Sequence, residues 1–515
     1  MSNKFLNGLT DSANFAYTEN GAITHKTTKS DLLDMFAMGA AMRNRSDSDV
    51  ILMFRKAYTE NPVYALKCLF YIRDVRGGQG ERRFFRVVMK DLASWDTAAA
   101  RRNLRYVPEF GRWDDLYVFV GTPLENDAFN FMKEQLALDI ECKTPSLLAK
   151  WLKSENTSSA ESRKLANITR QHFGMNHKQY RKTLSILRNR INIVERLMSE
   201  NRWDEIEFDK IPSKAGMIYK NAFARHDLER EKSVKDVQTY AEFARDTTKK
   251  VNAKTLYPYE CVSKALEITG RTGGWGYGKK IALDDTDRLM VNKYYENLED
   301  YFKDKTFNAL MVVDTSASMR GSTAAAPINV AISLGMYAAE RAKGPFAGHY
   351  ISFSRTPRLV AIEGVDFVDK VTRIYDANLC ENTNIEATFD MLLNVALSNG
   401  CSQADLPEYL CIVSDMEFDQ GTGNWSYGYN RTTFNTKTLM ESIRTKWANH
   451  GLRMPKIIYW NVDARHNNIP EDLGCGDISY VSGMSPSIFD TLMSGKSGYE
   501  LMMAKLDSPR YKVIH

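Results

Sequence analysis

The sequence predicts two fold classes in one chain: an all-α helical-repeat domain over residues 1–280 and an α/β domain over 306–515, joined by a linker and connecting helix over 281–305. Three observations carry this. Apolar residues recur every three or four positions through the first part, with few credible strands before about residue 300. Near 270 the texture turns glycine-rich and basic in "GRTGGWGYGKK" (270–280), followed by the acidic "LDDTD" (283–287). Beyond it, short apolar runs alternate with helical segments, the rhythm of a mostly parallel, Rossmann-like sheet with helices on both faces.

Each element has a local reason. "DLLDMFAMGAAMR" (31–43), "PVYALKCLFYIRDV" (62–75), "ERRFFRVVMKDLASW" (81–95) and "NDAFNFMKEQLALDIEC" (126–142) keep the helical period. Asn61 before Pro62 is an N-cap with proline at the first helical position, and Gly77 with Gly78 stops that helix. Longer helical patterns run around 178–200 and 228–246. In the second part, strands are expected at "FNALMVV" (307–313), "GHYISFS" (348–354), "EYLCIVS" (408–414), "KIIYWNV" (456–462) and "ISYVSG" (478–483). Helices are expected at 327–343, 384–398 and 436–449.

At 515 residues with 43% hydrophobic content, the chain can bury more than one core. The net charge of +5 hides an asymmetry, roughly +12 for residues 1–280 and roughly −7 for the rest. A basic excess on one domain is what a phosphate backbone attracts, and it is also what a solvated surface carries. Seven cysteines with no C-x-x-C pair read as reduced thiols in a cytoplasmic compartment. No charged-then-apolar leader opens the chain, and no apolar stretch approaches the roughly 20 residues that span a bilayer.

Chemistry concentrates at "VVDTSASMRGS" (312–322), where Asp314, Ser316 and Ser318 follow the first strand of the second part. Ligands of open α/β sheets bind at the carboxyl ends of the strands. A carboxylate with hydroxyls suits Mg²⁺ or a similar hard divalent cation better than zinc. The same string also fits a serine-rich turn with an aspartate cap. "ENTNIEATFDML" places Thr383 before a helix, and "YLCIVSDMEFD" places Asp415 directly after an apolar strand, both at the same sheet edge.

This assembly resembles the von Willebrand factor A-like domain, whose metal-ion-dependent adhesion site uses D-x-S-x-S, a threonine and an aspartate from separate loops. The resemblance implies Asp314, Ser316, Ser318, Thr383 and Asp415 as metal residues, with one coordination position left for an acidic group of a protein partner. The strings "YIRDVRGGQGERRFFR" (71–86), "VPEFGRWDDLY" (107–117), "SLLAKWLKSEN" (146–156), "YRKTLSILRNRINIVERLMS" (180–199) and "IPSKAGMIYKNAFARHD" (211–227) extend it. With the second domain they resemble an uncharacterised family that pairs a helical domain with a von Willebrand factor A-like domain. At a greater distance the architecture is similar to the Ro autoantigen, a telomerase, Ro and vault (TROVE) module closed into a ring. That similarity implies HEAT-like repeats and binding of single-stranded or small structured RNA, as in RNA quality control or a ribonucleoprotein scaffold.

The RNA-binding candidates are Arg73, Arg76, Arg82 and Arg83 around the Gly-Gly-Gln-Gly turn, Arg112 beside Trp113, Lys150 beside Trp151, Lys182 and Arg188 on one helix, and Lys214 at a helix start. Each also reads as a solvated or salt-bridged surface group, and the tryptophans as core. "GGWGYGKK" departs from a phosphate-binding loop because Lys280 occupies the Ser/Thr position and a helix precedes it. "GGQ" at Gly77–Gln79 matches the tripeptide of peptide-chain release factors over three residues only, and a metal nuclease would need more carboxylates. No histidine or cysteine accompanies the oxygen cluster, so the expectation is a monomeric binding protein and not an enzyme. Its partner is expected to be RNA or, alternatively, an acidic protein held through the metal.

Overall fold

The structure is a computed structural model. It describes all residues except 1–13, 192, 234–236, 272–284, 304, 322, 354–355, 378–383, 420–438, 472–476 and 497. The chain divides into two compact units, one of Met1–Cys68 with Tyr257–Arg510 and the other of Leu69–Leu256 with Tyr511–His515. The boundaries expected from sequence, 1–280, 281–305 and 306–515, differ from this division. The reason is apolar surface. The helix Asp31–Met38 buries every residue from Leu32 to Met38, so it cannot stand on a solvated face, and it packs in the first unit with the α/β sheet.

That sheet has six strands: β3 (Ala309–Asp314), β4 (His349–Phe353), β5 (Arg358–Ala361), β6 (Tyr409–Ser414), β7 (Lys456–Asn461) and β8 (Ile478–Ser482). Their spatial order is β5-β4-β3-β6-β7-β8. All neighbours run parallel except β4 and β5. The inner strands are buried along almost their whole length, as continuous apolar runs such as "ALMVV" and "YLCIVS" require. The five expected strands are present. The short, exposed edge strand β5 is an addition, and its sequence "RLVA" offers no buried face to announce it. From the centre the chain winds outward both ways, through β4 and β5 on one side and β7 and β8 on the other. The gap between the carboxyl ends of β3 and β6 is thus the topological switch point.

Helices cover the sheet. Pro327–Arg341 is buried through twelve consecutive residues, Ile328–Ala339, and Gly335 lets it approach β3 so closely that a methyl there would collide with Val313. The helix Pro258–Ile268 packs on it. Asp31–Met38 lies against β8, where Ser482 Oγ donates to Phe36 O at 2.8 Å. A two-stranded antiparallel hairpin, β1 (Phe15–Tyr17) and β2 (Ile23–His25), joins this unit through reciprocal 2.9 Å backbone bonds between His25 and Ile469.

The second unit is helical, and no strand occurs among its described residues. Its helices include Arg82–Trp95, Thr97–Asn103, Glu125–Glu141, Leu148–Trp151, Ala160–Phe173, His177–Arg190, Val194–Ser199, Ser213–Arg225, Asp227–Ser233 and Tyr240–Arg245. The helical pattern expected over 178–200 ends at Arg190, and a separate short helix starts at Val194. The pattern over 228–246 is two helices, the second opened by Thr239 and Glu242 in a capping box.

Candidate functional site at the switch point

Asp314 ends β3 and is fully buried, while Ser316 is 3% exposed and Ser318 is half-buried. The turn follows from local bonding. Ser316 N–H donates to Asp314 Oδ1 at 2.9 Å, an Asx turn that folds the chain back so that Ser316 Oγ and Ser318 Oγ stand 3.1 Å apart. From the neighbouring strand, Ser414 Oγ donates to Asp314 Oδ2 at 2.6 Å. The loop after β6 repeats the device, with Met416 N–H donating to Ser414 Oγ at 3.0 Å and Glu417 N–H to Asp415 Oδ1 at 3.2 Å. Met416 takes the left-handed conformation, φ 65°, which non-glycine residues adopt at a cost. The sequence-predicted Asp314, Ser316, Ser318 and Asp415 therefore meet at one sheet edge. Thr383 lies outside the described residues.

The edge is crowded with negative charge. Burial, and next the Asp415 carboxylate, push the Asp314 carboxyl well above the ordinary range. Burial also raises Asp463, which Arg43 and a 3.2 Å bond from Asn44 partly offset. Arg465 supplies the counter-charge, with Nη2 2.7 Å from Asp415 Oδ2 and Nη1 2.9 Å from Glu19 Oε2. His466 Nδ1 stands 2.8 Å from Glu417 Oε1, and that carboxylate is itself almost fully buried. Among the described residues, no group of three or more His, Cys, Asp and Glu side chains is arranged to hold a metal ion. A cation at this edge would draw on hydroxyls. Two cis ligands at about 2.1 Å from an octahedral Mg²⁺ stand about 3 Å apart, the separation of the two serine oxygens.

Sequence reading missed Ser414, Arg465, His466 and Glu19. Ser414 could have been found, since it immediately precedes Asp415. "NVDARH" after β7 reaches the same edge by topology, but nothing in the sequence connects Glu19 to a strand end some 400 residues away in the chain.

The basic candidates of the helical unit divide sharply. Arg73 is 1% exposed and holds Asp115 Oδ2 through Nε at 2.9 Å and Nη2 at 2.7 Å, so it is an internal group. Arg188 is spent on Ala149 O, Leu152 O and Ser154 Oγ. Arg112 sits over Trp151 at 4.0 Å and not over Trp113, which instead meets the Phe131 ring at 5.3 Å. Its Nε lies 3.0 Å from Asp114 Oδ1, an ion pair out of hydrogen-bond alignment. Lys150 is 6.0 Å from the Trp151 ring. Arg76, Arg82, Lys182 and Lys214 are exposed, and Arg83 is half-buried.

Residues 308–508 match the family model described as Domain of unknown function (DUF7788). The uncharacterized protein L728 of Acanthamoeba polyphaga mimivirus is 28% identical over 521 residues, covering 94% of this chain and 85% of the viral protein. Residues 18–146 and 144–306 match the model described as Domain of unknown function (DUF2828). That second model spans more than half of the 515 residues, and the protein belongs to the DUF2828 family.

Proposed function

We propose that the α/β sheet and its helices form a von Willebrand factor A-like domain that binds a divalent cation, Mg²⁺ first, and through it captures an acidic group of a partner protein. The observation that carries this reading is the convergence of Asp314, Ser316 and Ser318 beside Asp415 at the switch point. Asp314 and the two serine hydroxyls would hold the ion, with Asp415 acting through water, because Arg465 already engages its Oδ2. A hard cation supplies a position for a partner's carboxylate, and the chain provides orientation: burial of Asp314, and hydrogen bonds from Ser414 and Ser316 that fix both of its oxygens. The role is binding and not catalysis. Affinity capture with immobilised full-length protein tests it: a partner retained in Mg²⁺ is released by chelator and absent with Asp314→Ala. Retention indifferent to both refutes it.

A second reading, RNA binding by the helical unit, is favoured by the placement of three basic side chains. Arg112 stacks on Trp151, Lys150 is near the same ring, and Arg82 is exposed at the start of a helix, where a cation opposes the helix dipole and an anion would be welcome. Sequencing of RNA that copurifies at low salt, beside the absorbance ratio of the preparation, tests this. Affinity for single strands should fall steeply with salt and on Arg82→Glu. A preparation free of nucleic acid with no binding at low salt removes it.

A further inference from the structure

We infer that Arg465 forms a carboxylate-binding subsite beside the switch point, that the chain's own Glu19 occupies it, and that an acidic side chain of a partner protein takes Glu19's place. The inference rests on reading this edge as a partner-capture site, and it names the group that closes it.

Arg465 is aimed by a buried residue and loaded by an exposed one. Asp415, 1% exposed in its side chain, fixes Nη2 at 2.7 Å, while Glu19, 44% exposed, takes Nη1 at 2.9 Å. The guanidinium thus has one permanent carboxylate on Nη2 and one exchangeable carboxylate on Nη1. His466, 3.8 Å from Glu19 Oε1, adds a second basic group on the same side.

The hairpin that brings Glu19 does not depend on its carboxylate. Thr18 Oγ1 donates to Phe418 O at 2.6 Å, Glu19 N–H to Glu417 Oε2 at 2.7 Å and Asn20 Nδ2 to Glu417 O at 2.7 Å. Gly21 bridges Asp419. The backbone is clamped to the loop that carries Asp415, so the side chain can leave while the turn stays. Exposed ion pairs contribute about 1 kcal/mol at most, so Glu19 closes the subsite lightly enough for a partner to displace it.

The test uses the full chain and a capped tetraglutamate peptide as probe, titrated in Mg²⁺ and again in chelator. Glu19→Ala should bind the peptide about fivefold more tightly than the unsubstituted chain, the factor an exposed pair of that strength implies. Adding Arg465→Ala should abolish the gain. Arg465→Lys, which keeps a charge beside Asp415 if the alanine does not fold, should reduce it. The gain should survive chelation, since it comes from a guanidinium. Equal affinity of the unsubstituted and Glu19→Ala chains, or no binding by either, overturns the inference. Failure of the cation reading is a different result: Asp314→Ala and chelator would leave peptide binding unaltered while the Glu19→Ala gain persisted.

Discussion

Ser414 Oγ donates a 2.6 Å hydrogen bond to Asp314 Oδ2 across the two central strands of the sheet, and both residues are completely buried. The bond ties the two halves of the switch point together. Ser414→Ala would leave a buried carboxylate oxygen without its donor and free the Met416 amide from its acceptor. A loss of about 1–3 kcal/mol in urea unfolding is expected, the cost of an unsatisfied buried polar group. A change within a few tenths would mean that water replaces the hydroxyl.

Gly335 sits where the helix Pro327–Arg341 presses on Val313, one residue before Asp314. Gly335→Ala should destabilise the protein by about 1–3 kcal/mol through overpacking, despite the better helix propensity of alanine. Val313→Ala in the same chain should recover part of the loss. Stabilisation by Gly335→Ala alone would show that helix and strand separate easily.

Asp115 is fully buried and receives Arg73 on Oδ2 and Arg86 on Oδ1, the latter at 2.6 Å. Burial alone would raise its pKa, but the two guanidinium groups outweigh it and hold the carboxyl below the usual range. Asp115→Ala strips Arg73 of its buried counter-charge and should cost about 3–5 kcal/mol. Circular dichroism during urea titration measures this, and a loss under about 1 kcal/mol would contradict an internal role for Arg73.

Asp34, on the helix Asp31–Met38, is 7% exposed, and burial raises its pKa to about 6 against the hydrogen bonds from Thr27 and Thr28. The native carboxyl therefore keeps its proton between about pH 4 and 6 while the unfolded one releases it. Its contribution to stability is present below pH 4 and fades as pH rises through 6, by up to about 3 kcal/mol. Asp34→Asn keeps the acceptor for Thr28 and cannot ionise, so its melting temperature should fall less between pH 4 and 7. Parallel pH profiles for the two chains would reject this assignment.

The α/β sheet was legible because its strands are buried runs that sequence marks directly, as "ALMVV" and "YLCIVS" do. Asp314 and Asp415 were legible for the same reason: each follows such a run, and parallel topology sends both to one edge. The unit boundaries were not, because helical periodicity shows that Asp31–Met38 has apolar faces without saying what covers them. Arg73 and Arg188 read as surface cations, since sequence spacing does not reveal that Asp115 or the carbonyls of Ala149 and Leu152 wait across the fold. Sequence pairs Arg112 with Trp113, its neighbour in the chain, while Trp151 is its neighbour in space.

Capture of a partner's carboxylate at the switch point requires a divalent cation held by Asp314, Ser316 and Ser318. Titration of full-length protein with Mn²⁺, followed by the loss of the free-ion electron paramagnetic resonance signal, tests it most directly. One saturable ion per chain is expected, displaced by excess Mg²⁺ and lost in Asp314→Ala with the fold retained. Equal binding by the folded Asp314→Ala chain, or no binding by the unsubstituted one, would contradict it.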